Sequence, residues 1–193
     1  MPAILLIHGI DDAQKRMQPL KERLQEAGYE NVHAMHITPN DGSISMEEMG
    51  QQVLQEALYL RRASGAAKID VVGYSMGAIA ARYFIQRLGG AEMVRRFVSL
   101  AAPHHGTRLA WLRGGQGVRQ MRYRSPFLEE LNADSSSCGE VEVYSFWTPL
   151  DLSVVPATSA RLDGAQNRRF LVLCHPWMTR DKRVAEAVIK ALG

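Results

Sequence analysis

Ser75 lies between two glycines in Gly73-Tyr74-Ser75-Met76-Gly77, a G-x-S-x-G pattern. A short apolar run precedes it and an alanine-rich stretch follows. Strand, sharp turn and helix is the setting in which this pattern raises a serine above a sheet edge as a nucleophile. The turn is strained and closely packed, so side chains two positions either side of the serine would clash. The following helix sets its positive end near Ser75 Oγ, which favours negative charge there. The plainer alternative is a glycine-flanked strand-to-helix turn without chemistry.

A serine hydroxyl is a weak nucleophile. It needs a general base, and the base needs an orienting carboxylate. Elbow serines have their partners later in the chain, acid first and histidine second. The histidines beyond Ser75 are His104, His105 and His175. His175 directly follows a C-terminal apolar run, at the sheet edge where sites of open parallel sheets form, and is the expected base. His104 and His105 also follow a strand, but Pro103 and Gly106 indicate a tight loop. Among acids, Asp151 follows the run at 141–146 and is expected over Asp163 and Asp134.

Acyl transfer also requires donors for an oxyanion. The amide of Met76, next after the nucleophile, is one; the second belongs to the loop after the first strand, where Ile10 is the choice. His8 either shapes that loop or contacts substrate. Tyr74, Trp111 and Trp177 are the other candidate substrate contacts.

These residues need a scaffold. Apolar runs at 3–7, 31–37, 69–72, 94–100, 141–146 and 169–173 read as six strands. Helical patterns cover 14–27, with Asp11 and Asp12 as possible caps, then 46–63 behind Ser45, 76–88, about 126–131 and 181–192. Strands alternating with helices, most strands apolar on both faces, argue for an α/β fold, a mostly parallel sheet with helices on both sides.

The chain has 193 residues, 46% of them hydrophobic, which predicts one globular domain over 1–193 whose core requires neither disulfides nor metal. Cys138 and Cys174 have no metal-ligand spacing, and no metal or organic cofactor is implied. No secretory leader or membrane span is evident, so a soluble, cytoplasmic protein is expected. The net charge is +3, and arginine outnumbers lysine 18 to 5. Arg108, Arg113, Arg119, Arg122 and Arg124 fall in one stretch without an acid; without them 18 basic residues face 20 acidic ones. The basic excess therefore belongs to the segment 101–139, a loop or small cap. It is either a solvated face or a weak contact for anionic lipid surfaces through Arg108 to Arg124. Nucleic acid is not expected, since no binding module surrounds it. Trp111, Leu112, Met121, Tyr123 and Phe127 either pack this segment down or form a substrate-facing flap.

Together, Leu5-Leu6-Ile7-His8-Gly9-Ile10, the elbow at Ser75, Ala102-Pro103-His104-His105-Gly106-Thr107 and the late Asp151 and His175 resemble α/β-hydrolases of the lipase group, above all small lidless bacterial lipases. The likeness runs through nearly the whole chain, including the acid-bearing region 151–167. It implies a minimal α/β-hydrolase fold and a serine esterase or lipase acting on an acyl ester or lipid, with Ser75, Asp151 and His175 as triad and Ile10 and Met76 as oxyanion donors. Acyltransferases and thioesterases share that intermediate, and a non-catalytic lipid-binding module is the remaining rival. Tyr74 departs from the histidine common before the nucleophile, and Cys174-His175-Pro176-Trp177 from the usual Gly-His.

Overall fold

Ile4, Leu5, Leu6 and Ile7 contain no polar side chain, and all four are fully buried in strand β1 (Ile4–Ile7). A strand covered on both faces needs a sheet with helices on each side, and this one is an interior strand of such a sheet. The computed structural model describes residues 2–193. The other strands are β2 (Val32–Met35), β3 (Ile69–Tyr74), β4 (Val94–Leu100), β5 (Glu142–Trp147) and β6 (Gln166–Arg169). They pair in the order β2-β1-β3-β4-β5-β6, every neighbour parallel.

Successive strand residues point to opposite faces, and the core divides accordingly. Leu5, Ile7, Val71 and Phe97 meet α2 (Met46–Ser64) and α3 (Met76–Arg87). Ile4, Leu6, Val72 and Val98 meet α1 (Gln18–Glu26) and α6 (Lys182–Leu192). Each such Leu, Ile or Val contributes about 1.5–3 kcal/mol when fully buried. Ser45 caps α2: its Oγ accepts from the Glu48 amide at 3.1 Å, and the Glu48 carboxylate accepts from the Ser45 amide at 2.9 Å. Asp181 caps α6, its carboxylate accepting from the Arg183 amide at 2.9 Å.

The expected architecture holds, with corrections at three elements. The helix expected over 14–27 is a 3-10 turn (Gln14–Met17) followed by α1. Pro19 has no amide hydrogen, so it fits only the first turn of an α-helix, which delays the start to Gln18. Asp11 and Asp12 do not cap it; they pair with Arg113 and Arg16. The last strand is not at 169–173. It is β6, opposite Tyr144 to Trp147 of β5, and it is exposed throughout. β5 ends at Trp147, so the chain beyond Arg169 has no ladder to join. There Phe170 and Val172 turn into the core while Leu171 and Leu173 face outward.

The segment 101–139 holds more structure than the one helix expected. A 3-10 turn (Arg108–Trp111), α4 (Gln116–Gln120), α5 (Pro126–Ala133) and a second 3-10 turn (Ser135–Cys138) follow one another. Of its apolar residues, Met121 joins the core and Phe127 packs against it, as the packing reading expects, while Trp111 and Leu112 remain exposed. No described helix is long and apolar enough to cross a membrane.

Candidate active site

β1 and β3 are neighbours although a 3-10 turn, α1, β2 and α2 separate them in the chain, and between them the order of the strands reverses. Crevices of open α/β sheets form at such switch points, beyond the carboxyl ends of the strands. The register sets Ile7 beside Gly73, which brings the loop His8-Gly9-Ile10 alongside Tyr74-Ser75-Met76.

Ser75 has φ 52° and ψ −124°, a conformation that costs a non-glycine residue about 1–3 kcal/mol and persists only where surroundings enforce it. Its amide donates to Leu100 O at 2.9 Å, extending the ladder with β4. The flanking glycines are required by close approach. A Cβ on Gly73 would lie 2.5 Å from Ala78 Cα, and one on Gly77 only 2.2 Å from His8 O. Helix α3 therefore begins tight against β1, with Met76 in its first turn. First-turn amides have no carbonyl four residues back within the helix, so the Met76 amide is available to a ligand oxygen.

Three elements far apart in sequence meet at Ser75. His175 Nε2 lies 2.9 Å from Ser75 Oγ, and His175 Nδ1 2.7 Å from Asp151 Oδ2. A carboxylate only accepts, so Nδ1 carries the hydrogen and Nε2 is the acceptor for the serine hydroxyl. Asp151 is itself held: its Oδ1 accepts from the amides of Ser153 at 2.8 Å and Val154 at 2.9 Å. Asp151 and His175 are both buried. The alternatives lie elsewhere. His104 is fully buried against Ser99 Oγ, His105 contacts Asn132, and Asp134 pairs with Arg87. Burial and the Arg82 charge lower the His104 pKa well below its usual value, which leaves that ring neutral. Asp163 lines a separate cleft beside Cys138.

A cavity of about 390 Å³ opens over Ser75 and His175, within the size range of small-molecule sites. Ile10, Tyr74, Leu109, Val118, Met121 and Val154 give it an apolar lining. Arg16, Asp12, Arg113 and Asp11 also border it, the acids paired with the arginines.

His8 is fully buried and outside the cavity wall. Its Nδ1 donates to Gly9 O at 2.8 Å, and its Nε2 accepts from the Ile37 amide at 3.2 Å and lies 2.9 Å from His36 Nδ1. Burial lowers its pKa, consistent with a neutral ring that shapes the loop. Trp111 and Trp177 also fall outside the wall, 62% and 40% exposed, each with an arginine over its ring: Arg122 at 4.2 Å and Arg180 at 5.0 Å. Of the four expected substrate contacts, only Tyr74 lines the cavity.

Two threonines that no motif marks position the site. Thr148 Oγ1 donates to Val172 O at 2.7 Å and accepts from the Val172 amide at 3.3 Å, tying the Asp151 loop to the segment that leads into His175. Thr107 Oγ1 donates to Ser153 O and accepts from the Val155 amide, both at 2.9 Å, which fastens the arginine-rich segment to the same acid loop. A lone threonine carries no sequence signal for such a role.

The sequence profile of the palmitoyl protein thioesterase family matches residues 3–144. That stretch contains Ser75 and stops short of Asp151 and His175. A triacylglycerol lipase from Pseudomonas fragi is 30% identical over 112 residues, which are 55% of this chain and 36% of the lipase. The match thus spans little more than a third of that relative's length. The mature lipase BlEst2 of Bacillus licheniformis superposes with a TM-score of 0.84 at 17% identity, covering 99% of this chain and 91% of its own. Lipase B of Aspergillus fumigatus superposes with a TM-score of 0.86 at 16% identity, covering 99% of this chain and 52% of its own. Both likenesses concern the fold.

Proposed function

For this chain, which belongs to the palmitoyl protein thioesterase family and has the α/β-hydrolase fold, we propose the activity of a serine esterase on acyl esters or lipids. One observation carries the reading: Ser75, His175 and Asp151 form a continuous hydrogen-bonded chain, of which Ser75 and His175 line a largely apolar cavity.

The geometry suits a two-step acyl transfer. His175 Nε2 takes the Ser75 proton while Oγ bonds to the ester carbonyl carbon. The negative charge passes to the carbonyl oxygen, where the amides of Met76 and Ile10 are the proposed donors. Asp151 keeps the imidazole in the required tautomer and stabilises the imidazolium. As the C–O bond to the alcohol breaks, His175 returns the proton to the leaving oxygen. Water then attacks the acyl-serine, giving its proton to His175, and the acid leaves as Ser75 recovers its hydrogen. Every step uses groups of this chain and water.

A second reading, hydrolysis of acyl thioesters, is favoured by the family match. The attack is the same, and a thiol replaces the alcohol as leaving group. A series of p-nitrophenyl esters of increasing chain length, run beside acyl thioesters of the same chains, separates the two. Oxyester turnover that vanishes in Ser75→Ala is the expected result. Turnover of thioesters alone would favour the second reading. Turnover of neither, with no labelling by a fluorophosphonate, would leave a lipid-binding module.

A further inference from the structure

Of the nine large apolar side chains exposed among the described residues, eight leave loops beyond the carboxyl ends of β4, β5 and β6; only Tyr59 does not. The sheet is parallel, so those loops share the edge that carries Ser75. Single exposed leucines are ordinary on a protein surface; a collection restricted to one edge is not, and marks a contact surface. Leu112 and Leu152 are 83% and 80% exposed and come from separate loops, one on the arginine-rich segment and one next to Asp151. Trp111, next to Leu112 in the chain, and Trp177, in the loop after β6, are exposed at the same edge.

The charges of that edge are unbalanced. Four of its acids are paired within the molecule: Asp11 with Arg113, Asp12 with Arg16, Asp151 with His175 and Asp181 with Arg183. Asp41 accepts from the Ser43 amide. Among the described residues, Arg108, Arg122, Arg124 and Arg180 have no carboxylate partner. Their guanidinium groups lie over the Tyr123, Trp111 and Trp177 rings instead, 4.2–5.6 Å from the ring centres. Aromatic rings flanked by cations suit an interface that is apolar within and anionic at its surface.

We propose that this edge docks on an anionic lipid bilayer, with Leu112, Leu152, Trp111 and Trp177 entering the headgroup region and Arg108, Arg122, Arg124 and Arg180 facing lipid phosphates. The cavity over Ser75 then opens toward the membrane. Docking is separate from the hydrolytic reading, because binding is measurable on protein that cannot turn over lipid.

The test is flotation of Ser75→Ala protein with vesicles of phosphatidylcholine alone and of phosphatidylcholine mixed with phosphatidylglycerol. Binding to the mixed vesicles and little to the neutral ones is expected. Arg108→Gln with Arg124→Gln should lower that binding roughly tenfold or more, since each arginine near an anionic surface contributes roughly fivefold. Leu112→Asp with Leu152→Asp should lower it comparably. In a Ser75 background, the leucine pair should keep its turnover of a short soluble ester, which establishes that it folds. Equal binding to both vesicles, or binding unmoved by the aspartates, overturns the proposal. So does capture by polyglutamate without capture by vesicles, which would assign the edge to an acidic protein, and so does binding to none of these.

Discussion

The Tyr74 ring centre lies 4.9 Å from that of the His175 imidazole, tilted by 38°, and the same ring packs close to Gly9, where an added Cβ would sit 3.1 Å from Tyr74 Cε1. One buried ring thus packs against both the proposed base and the proposed oxyanion loop. Tyr74→Ala removes that shared support. The cavity left by so large a buried side chain costs about 3–5 kcal/mol, and a shifted imidazole lowers kcat roughly 10²-fold. Tyr74→Phe keeps the ring and should hold kcat within about threefold. Steady-state kinetics on both variants checks this; a Phe variant as slow as the Ala one would move the role to the hydroxyl.

The hydrogen-bonded chain from Asp151 through His175 to Ser75 predicts unequal losses. Ser75→Ala should lower kcat by about 10⁶, as when any essential member of a triad acting as a unit is removed. Asp151→Asn should cost about 10⁴, because an amide in place of the carboxylate leaves the imidazole in the wrong tautomer. Titration with a fluorophosphonate in parallel should give no labelling of the alanine variant and slow labelling of the asparagine one. An Asp151→Asn enzyme as fast as wild type would remove this residue from the chemistry.

Much of the site was readable because its signals are local. The glycines around Ser75 report a close approach that the structure bears out at Ala78 Cα and His8 O. Asp151 and His175 could be sought at strand ends because chain order restricts the search. The sixth strand was misplaced because its apolar residues lie beyond its ladder: Phe170 and Val172 pack inward after β5 has ended, whereas the paired residues of β6 are polar and exposed. Trp111 and Trp177 were expected at the substrate since aromatic rings suit apolar ligands. Which way a loop ring faces is decided by tertiary partners, here Arg122 and Arg180, and local sequence does not contain that choice. Thr107 and Thr148 were missed for the same reason.

Arg113 bridges the arginine-rich segment to Asp11, next to Ile10. The pair is exposed, so its contribution to stability should be about 0.2–1 kcal/mol and should fall with salt. Its effect on turnover should be larger. Asp11 holds a left-handed backbone, φ 55°, directly after the proposed donor amide. Arg113→Gln should therefore reduce kcat about threefold to tenfold, less than the 10²–10³ expected for losing a donor outright. Added salt should shrink the difference between wild type and variant. A variant whose kcat is unchanged at low salt would show that the Ile10 loop needs no tether.

His8 and His104 give the fold a sensitivity to acid. Burial is the main cause lowering the pKa of each; at His8 the hydrogen bond to the Gly9 carbonyl and, less, Asp12 oppose it while His36 adds to it, and Arg82 and His105 add to it at His104. Unfolded histidine takes up a proton as pH drops through about 6.5, and these two in the fold take it up only at lower pH. The unfolded chain then binds more protons, so stability is full above pH 7 and declines as pH falls toward 5. Each histidine contributes a slope of up to about 1.4 kcal/mol per pH unit while its folded form remains neutral. Urea unfolding at about pH 7.5, 6.5, 5.5 and 5.0 measures it. His104→Gln, which keeps a hydrogen-bonding partner for Ser99, should flatten that dependence by about one proton. A midpoint that does not move between pH 7.5 and 5.0 would mean that both rings ionise as readily in the fold as in the unfolded chain.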